Sequence, residues 1–226
     1  MTTEPKKQKS RFLKIFEPKY IAMDFGRLFA IPARLAFRFK VYTKDGGEEL
    51  WPVRGRALVV ANHTSFADPF KIYGAFWYRR VFMITSKETM DGGMRSVLMK
   101  GMGCIRIDRD IADIECIKQA VKLLKDGRIV AMFPQGGISR DDRLDNIKQG
   151  AVLIAMQAGV PIIPMYFEPR SKWYKRMRAV MGNPLVCSDY CKKRLPGMAD
   201  IELLTNELLK RTIECKDVLE RGKGKD

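Results

Sequence analysis

From residue 57 onward the chain alternates short continuous apolar runs with stretches of helical periodicity. Ala57–Ala61 (ALVVA), 81–85, 104–107, 129–133 and 160–166 read as strands covered on both faces. Asp68-Pro69 opens the first intervening helix, with Asp as N-cap and Pro at the first helical position. Further helices are predicted at about 94–100, 112–125, 148–158 and 199–220. The third places Ile114, Ile117, Val121 and Leu124 on one stripe and closes at Asp126-Gly127. Strands alternating with helices predict an α/β fold: a single domain over 44–220 with a central, mostly parallel sheet flanked by helices. Residues 221–226 read as a frayed tail.

The first 43 residues follow another pattern. Residues 1–10 read as a basic flexible tail, and 11–43 as amphipathic membrane-interface helices. Arg27, Arg34 and Arg38 share one helical face, with Leu28, Leu35 and Phe39 on the adjacent one. Pro32 is expected to kink the segment or divide it into two short helices. Two readings coexist: a helical hairpin packed on the core, and a basic element lying in a membrane surface.

Composition narrows the classes. With 226 residues, 46% of them hydrophobic, the chain can bury a full core, and disorder and disulfide-stapled frameworks are set aside. Five scattered cysteines read as reduced thiols, and no metal or other cofactor is expected. The 19-residue uncharged run 149–167 contains two glycines and two prolines and changes from helical to strand-like halfway, so no membrane span is expected there. No apolar signal core follows the basic N-terminus, and the expected location is the cytoplasmic face of a membrane, peripherally bound. The net charge of +16 calls for an anionic neighbour. The single histidine, His63, is the one available imidazole base.

His63 lies in Asn62-His63-Thr64-Ser65-Phe66-Ala67-Asp68, directly after the first buried strand, where open α/β sheets place their sites. Residues five apart on one helix point about 140° away from each other, so His63 and Asp68 meet only if the chain turns between them. A carboxylate bonded to one ring nitrogen fixes the tautomer and leaves the other as a base. The plainer alternative is that Asp68 only caps a helix. Arg109, just past a short strand, has the planar guanidinium that grips phosphate. Phe133-Pro134-Gln135-Gly136-Gly137-Ile138-Ser139-Arg140 follows the 129–133 strand with paired glycines able to offer backbone amides to an anion.

The order and spacing of these segments resemble the glycerolipid acyltransferase family, which includes 1-acyl-glycerol-3-phosphate acyltransferases. The resemblance covers about 55–168 and rests on four boxes in order. The N-H-x4-D box is intact as Asn62, His63 and Asp68; a G-x-I-x-I-x-R-like segment is recognisable at 103–109; V-P-I-I-P stands at 160–164. The F-P-E-G-T-R-S box departs from the pattern: Gln135 replaces its Glu, Gly137 its Thr and Ile138 its first Arg, while Ser139 and Arg140 follow as usual.

The resemblance implies transfer of a fatty-acyl group from acyl-CoA or acyl-carrier protein to a lysophospholipid hydroxyl, with 1-acyl-glycerol-3-phosphate the expected acceptor. His63 is then the general base oriented by Asp68. Asn62, Arg109, Gln135, Gly136, Gly137, Ser139 and Arg140 are the expected substrate-binding residues. Amides near 63–68 or at Gly136-Gly137 are expected to stabilise the oxyanion. The methionines 90, 94, 99 and 102 are candidates for lining an acyl tunnel, with core filling as the alternative. A rival is a peripheral lipid-binding protein that kept the fold and lost catalysis. A nucleic-acid binder is motivated by charge alone and supported by no motif, so no nucleic acid is expected as a partner. Residues 1–40 hold 10 basic and 3 acidic side chains, 41–169 hold 18 and 15, and 170–226 hold 14 and 8. Most of the excess therefore lies outside the motif-bearing segment. Arg170, Lys172, Lys175, Arg176 and Arg178, interleaved with Trp173 and Tyr174, read as a second patch for an anionic membrane surface.

Overall fold

The computed structural model describes residues 20–36, 38–45, 53–65, 67–91, 93–108, 113–138, 144, 147–169, 177–191 and 197–222. The elements run α1 (Ile21–Ala36), β1 (Lys40–Thr43), β2 (Ala57–Ala61), α2 (Asp68–Ala75), β3 (Val81–Ser86), α3 (Lys87–Met90), α4 (Gly93–Gly101), β4 (Ile105–Ile107) and α5 (Ile114–Lys125). They continue with β5 (Ile129–Met132), α6 (Gly150–Ala158), β6 (Ile162–Phe167), β7 (Arg178–Met181), α7 (Cys187–Tyr190) and α8 (Met198–Gly222). The strands form one seven-stranded sheet, β1-β7-β6-β2-β5-β3-β4. All neighbours are parallel except β6 and β7. The α/β reading is therefore correct, and the apolar runs at β2, β5 and β6 are buried along their whole length.

Helices cover both faces. On one, α5, α6 and part of α8 pack against Leu58, Val60, Phe82, Val130 and Ile162; on the other, α2 packs against Val59, Met83, Ala131, Ile163 and Met165. Alternation along each strand assigns consecutive residues to opposite faces. Because β2 lies between β5 and β6, the loops leaving these three strands meet at one edge of the sheet.

Three local expectations change. Ala67, not Asp68, is the N-cap of α2: Asp68 is the first helical residue and Pro69 the second. Pro32 lies inside a single helix, α1, which it was expected to kink or divide. Leu28 and Pro32 both lie on the exposed side of the helix, where a proline that cannot donate to the carbonyl four residues back is tolerated best. The 11–43 segment is not all helical either: its last four residues form β1, paired in parallel with β7.

α1 is fastened to the body by polar and apolar contacts. Arg80 grips Asp24 through Nε at 2.8 Å, Arg34 donates to the Gly74 carbonyl at 3.1 Å, and Met23 is buried. Gly103 makes the close approach possible. Its φ is +69°, and a methyl group there would meet Met23 at 2.7 Å and Phe82 at 2.9 Å. Arg34 therefore serves the fold, and it stacks over Phe39, which is buried beyond the helix. The expected stripe of arginines beside Leu28, Leu35 and Phe39 is replaced by an outward apolar face of Ile21, Phe25, Leu28 and Leu35, each more than half exposed. The basic tail 1–10, residues 11–19, and residues 170 and 172–176 of the second patch lie outside the described residues. Arg178 is in β7 and paired with Glu168 at 2.8 Å, so its charge is already spent within the fold.

Candidate active site

The chain leaves β2 at Ala61 and turns sharply before α2, and that turn brings His63 and Asp68 together. The His63 Nδ1 is 3.1 Å from Asp68 Oδ2. The same oxygen accepts the backbone N–H groups of Thr64 and Ser65, each at 2.7 Å. Asp68 therefore reaches back over the preceding turn instead of capping its own helix. Its side chain is fully buried, and that of His63 is 14% exposed. Burial alone would raise the Asp68 carboxyl. The hydrogen bond from His63, the Lys71 charge and the Ser65 amide outweigh it, and hold the group below its ordinary value of 3.8.

Three neighbours frame the imidazole. Phe133, at the end of β5, stacks on it with centroids 4.3 Å apart and 15° between planes. Gln135 Oε1 accepts the His63 backbone N–H at 2.7 Å. Asn62 is tied to the end of β6: its Oδ1 accepts the Phe167 N–H at 2.6 Å and its Nδ2 donates to the Phe167 carbonyl at 2.9 Å. Sequence reasoning put Asn62 and Gln135 on substrate. In the structure both hold the loop that carries His63, and Asn62 is 2% exposed. Gln fits where the family pattern has Glu because an uncharged amide oxygen accepts a backbone N–H equally well.

The amides expected to hold an oxyanion divide in two. Those of His63, Thr64, Ser65, Ala67 and Asp68 are all taken, by Gln135, by Asp68, by the Ser65 hydroxyl and by the Ser65 carbonyl. The amides of Gly136 and Gly137 have no partner among the described residues, and open space surrounds the Gly137 Cα. Gly136 has φ +74°, and a methyl group there would stand 2.9 Å from Cε and 3.1 Å from Nζ of Lys148. The Lys148 ammonium has no ion partner among the described residues. Ile138 follows without a charge, and Arg109, Ser139 and Arg140 lie outside the described residues.

Two residues escaped the sequence reading. Lys71 Nζ is 2.7 Å from Asp68 Oδ1, and its side chain is only 2% exposed. The three-residue offset from Asp68 on a helix was the available signal. Lys87, the first residue of α3, makes two 2.9 Å contacts with Asp108. The four methionines do not line one tunnel: Met90 is buried, Met94 is exposed, Met99 meets Cys104, and Met102 packs against the core on the α2 side of the sheet. No group of three or more His, Cys, Asp or Glu side chains converges among the described residues. No helix among them is long and apolar enough to cross a membrane.

Known proteins are similar to this chain in sequence and in fold. The family model described as Acyltransferase matches residues 42–168. A 1-acyl-sn-glycerol-3-phosphate acyltransferase of Bacillus subtilis is 25% identical over 187 residues, covering 80% of this chain and 90% of that protein. A 1-acyl-sn-glycerol-3-phosphate acyltransferase of Chlamydomonas reinhardtii is 35% identical over 133 residues; the match covers 56% of this chain and 38% of the algal protein. The crystal structure of the 1-acyl-sn-glycerophosphate (LPA) acyltransferase PlsC from Thermotoga maritima superposes with a TM-score of 0.60 at 18% identity, covering 94% of this chain and 86% of that one. That likeness concerns the fold, whereas the family model takes in the His63 turn, the Gln135 loop and β6 together. The chain belongs to the Acyltransferase family, as its resemblance to the glycerolipid acyltransferases implied.

Proposed function

We propose that this chain moves a fatty-acyl group from an acyl thioester, acyl-CoA or acyl-carrier protein, to the free hydroxyl of 1-acyl-glycerol-3-phosphate, in phospholipid biosynthesis. The observation that carries the reading is the His63–Asp68 pair at 3.1 Å. With Nδ1–H donated to Asp68, Nε2 is left as the base. It takes the proton of the acceptor hydroxyl while that oxygen attacks the thioester carbonyl carbon. The tetrahedral oxyanion then collapses, the C–S bond breaks, and the imidazolium returns its proton to the departing thiolate. Gly136 and Gly137 are the amides free to receive the oxyanion. Arg109, Arg140 and Ser139 are assigned to the acceptor phosphate, and Lys148 supplies a cation beside the loop that lost one at Ile138.

The reading includes peripheral binding at the cytoplasmic face of a membrane. The exposed apolar face of α1 supports the membrane contact, together with the exposed Met94 and Val97 of the adjoining α4. Release of thiol from an acyl thioester, dependent on added lysophosphatidate, tests the chemistry. Vesicle binding without thiol release, across a panel of lysolipid acceptors, would replace the proposal with a non-catalytic lipid-binding role. Vesicles of anionic lipid should retain the protein, and Phe25→Ser with Leu28→Ser should release it. Unchanged retention would reject the assigned face.

A further inference from the structure

A lysine that is 2% exposed needs a reason, because removing an ammonium from water costs several kcal/mol unless something replaces the hydration. Lys71 sits on the inner side of α2, beside Ile72, where an apolar side chain would fill the space without that cost. Its ammonium instead meets Asp68 Oδ1 at 2.7 Å, lies 3.5 Å from the Glu168 carbonyl oxygen, and stands 5.5 Å from the centre of the Phe167 ring. The contacts of Asp68 are thereby divided. Oδ2 serves His63, Thr64 and Ser65, and Oδ1 faces the ammonium. Oδ1 has this ion pair and no hydrogen bond, so the ammonium is what the structure sets against it, and the same ammonium reaches from α2 toward the residue after β6.

We infer that Lys71 is a positioning residue of the His63–Asp68 pair: it holds Asp68 ionised with Oδ2 turned to the imidazole, so that His63 keeps its Nδ1–H tautomer. This inference rests on the acyl-transfer reading only for its kinetic consequences. Around the carboxyl, the loop after β2 contributes the imidazole and two amides, α2 contributes Lys71, and β6 contributes the Glu168 carbonyl. The Glu168 carboxylate is itself taken by Arg178. From the loop after β5, the uncharged Gln135 accepts the His63 amide. After the hydrogen bond from His63, the Lys71 ammonium is the group that opposes the burial of Asp68.

The chain has one histidine, so its two ring nitrogens can be followed by 15N NMR of the full protein without assignment. The wild type should show a single Nδ1–H tautomer near neutral pH. Lys71→Met should mix the two tautomers, move the acid limb of the rate profile to higher pH, and lower kcat by at least about tenfold, with KM for lysophosphatidate unchanged within about twofold. Lys71→Arg should restore part of the loss. If Lys71→Met does not fold, Lys71→Gln, which keeps a hydrogen-bond donor but no charge, supplies the same readings. A neutral variant with the wild-type tautomer, kcat and acid limb would overturn the inference, as would an Arg variant no better than Met. The NMR reading needs no turnover. A wild type that transfers no acyl group would reject the proposed function and leave the role of Lys71 to be decided by the tautomer.

Discussion

Two charged networks of similar size are built into this protein, and they differ in their access to water. Around Asp68, one carboxylate gathers an imidazole, an ammonium and two amides with its own side chain fully buried. Around Arg211, one guanidinium gathers Glu207 at 2.9 Å, the Tyr190 hydroxyl at 2.8 Å and the Pro184 carbonyl at 2.7 Å, with about a fifth of each charged side chain exposed. Bond lengths and bond numbers hardly separate the two. In the second, water competes for every contact and screens the charges, so the network mainly ties α8 to α7 and the 183–184 turn. In the first, each charge depends on its partner, as the proposed proton transfer requires. Hydrogen-bond counts would rank them as equals; burial separates structure from chemistry.

Breaking the buried network should give the largest effect. His63→Ala is expected to cost roughly 10²–10⁴ in acyl-transfer rate. Undiminished turnover would remove the base from the mechanism. Asn62→Ala comes next. It strands the N–H and C=O of Phe167 in the interior, which should lower stability by about 2–4 kcal/mol in denaturant melts. A loss under about 1 kcal/mol would mean that water reaches the end of β6.

Acid separates the networks in another way. Asp68 and Glu207 are both held below their ordinary values, Asp68 against the pull of burial and Glu207 by its hydrogen bond from Arg211. A carboxyl whose folded value is depressed stabilises the fold above its unfolded value and loses that contribution as pH falls through the folded one. Stability should therefore fall as pH drops below about 3.8, and Asp68→Asn should flatten that slope while Glu207→Gln leaves it nearly intact. Equal flattening by both would erase the distinction. The smallest effect belongs to Arg211→Ala, about 1 kcal/mol or less by thermal melting, with turnover unaffected.

The strands of the sheet's middle were legible because they are unbroken apolar runs with no competing helical reading, as at Ala57–Ala61 and 162–167. β1 and β7 were missed because they are four-residue strands with intermediate ends, Lys40 and Arg178, whose apolar content is too small to stand out from a basic stretch. The turn joining His63 to Asp68 could be argued from helix geometry alone. Its supports could not. Gln135 and Lys71 are polar residues, for which a loop and a solvated helix face are the ordinary readings. Only the fold, placing β5 and β6 on either side of β2, brings Gln135 to the His63 amide and Lys71 to Asp68 and the residues ending β6. The oxyanion amides were narrowed for the same reason, since the capture of Thr64 and Ser65 by Asp68 is a property of the folded turn.

The double hydrogen bond between Asn62 and Phe167 joins residues 105 apart in the chain. Contacts of such span form only after the loop between them has closed, at an entropic cost, and the β2–β6 pairing is of the same kind. During synthesis, the histidine and aspartate emerge about a hundred residues before the strand that braces them. The pair assigned to the chemistry is therefore completed late in folding, and a nascent chain that has not yet docked β6 carries His63 without the frame that holds it.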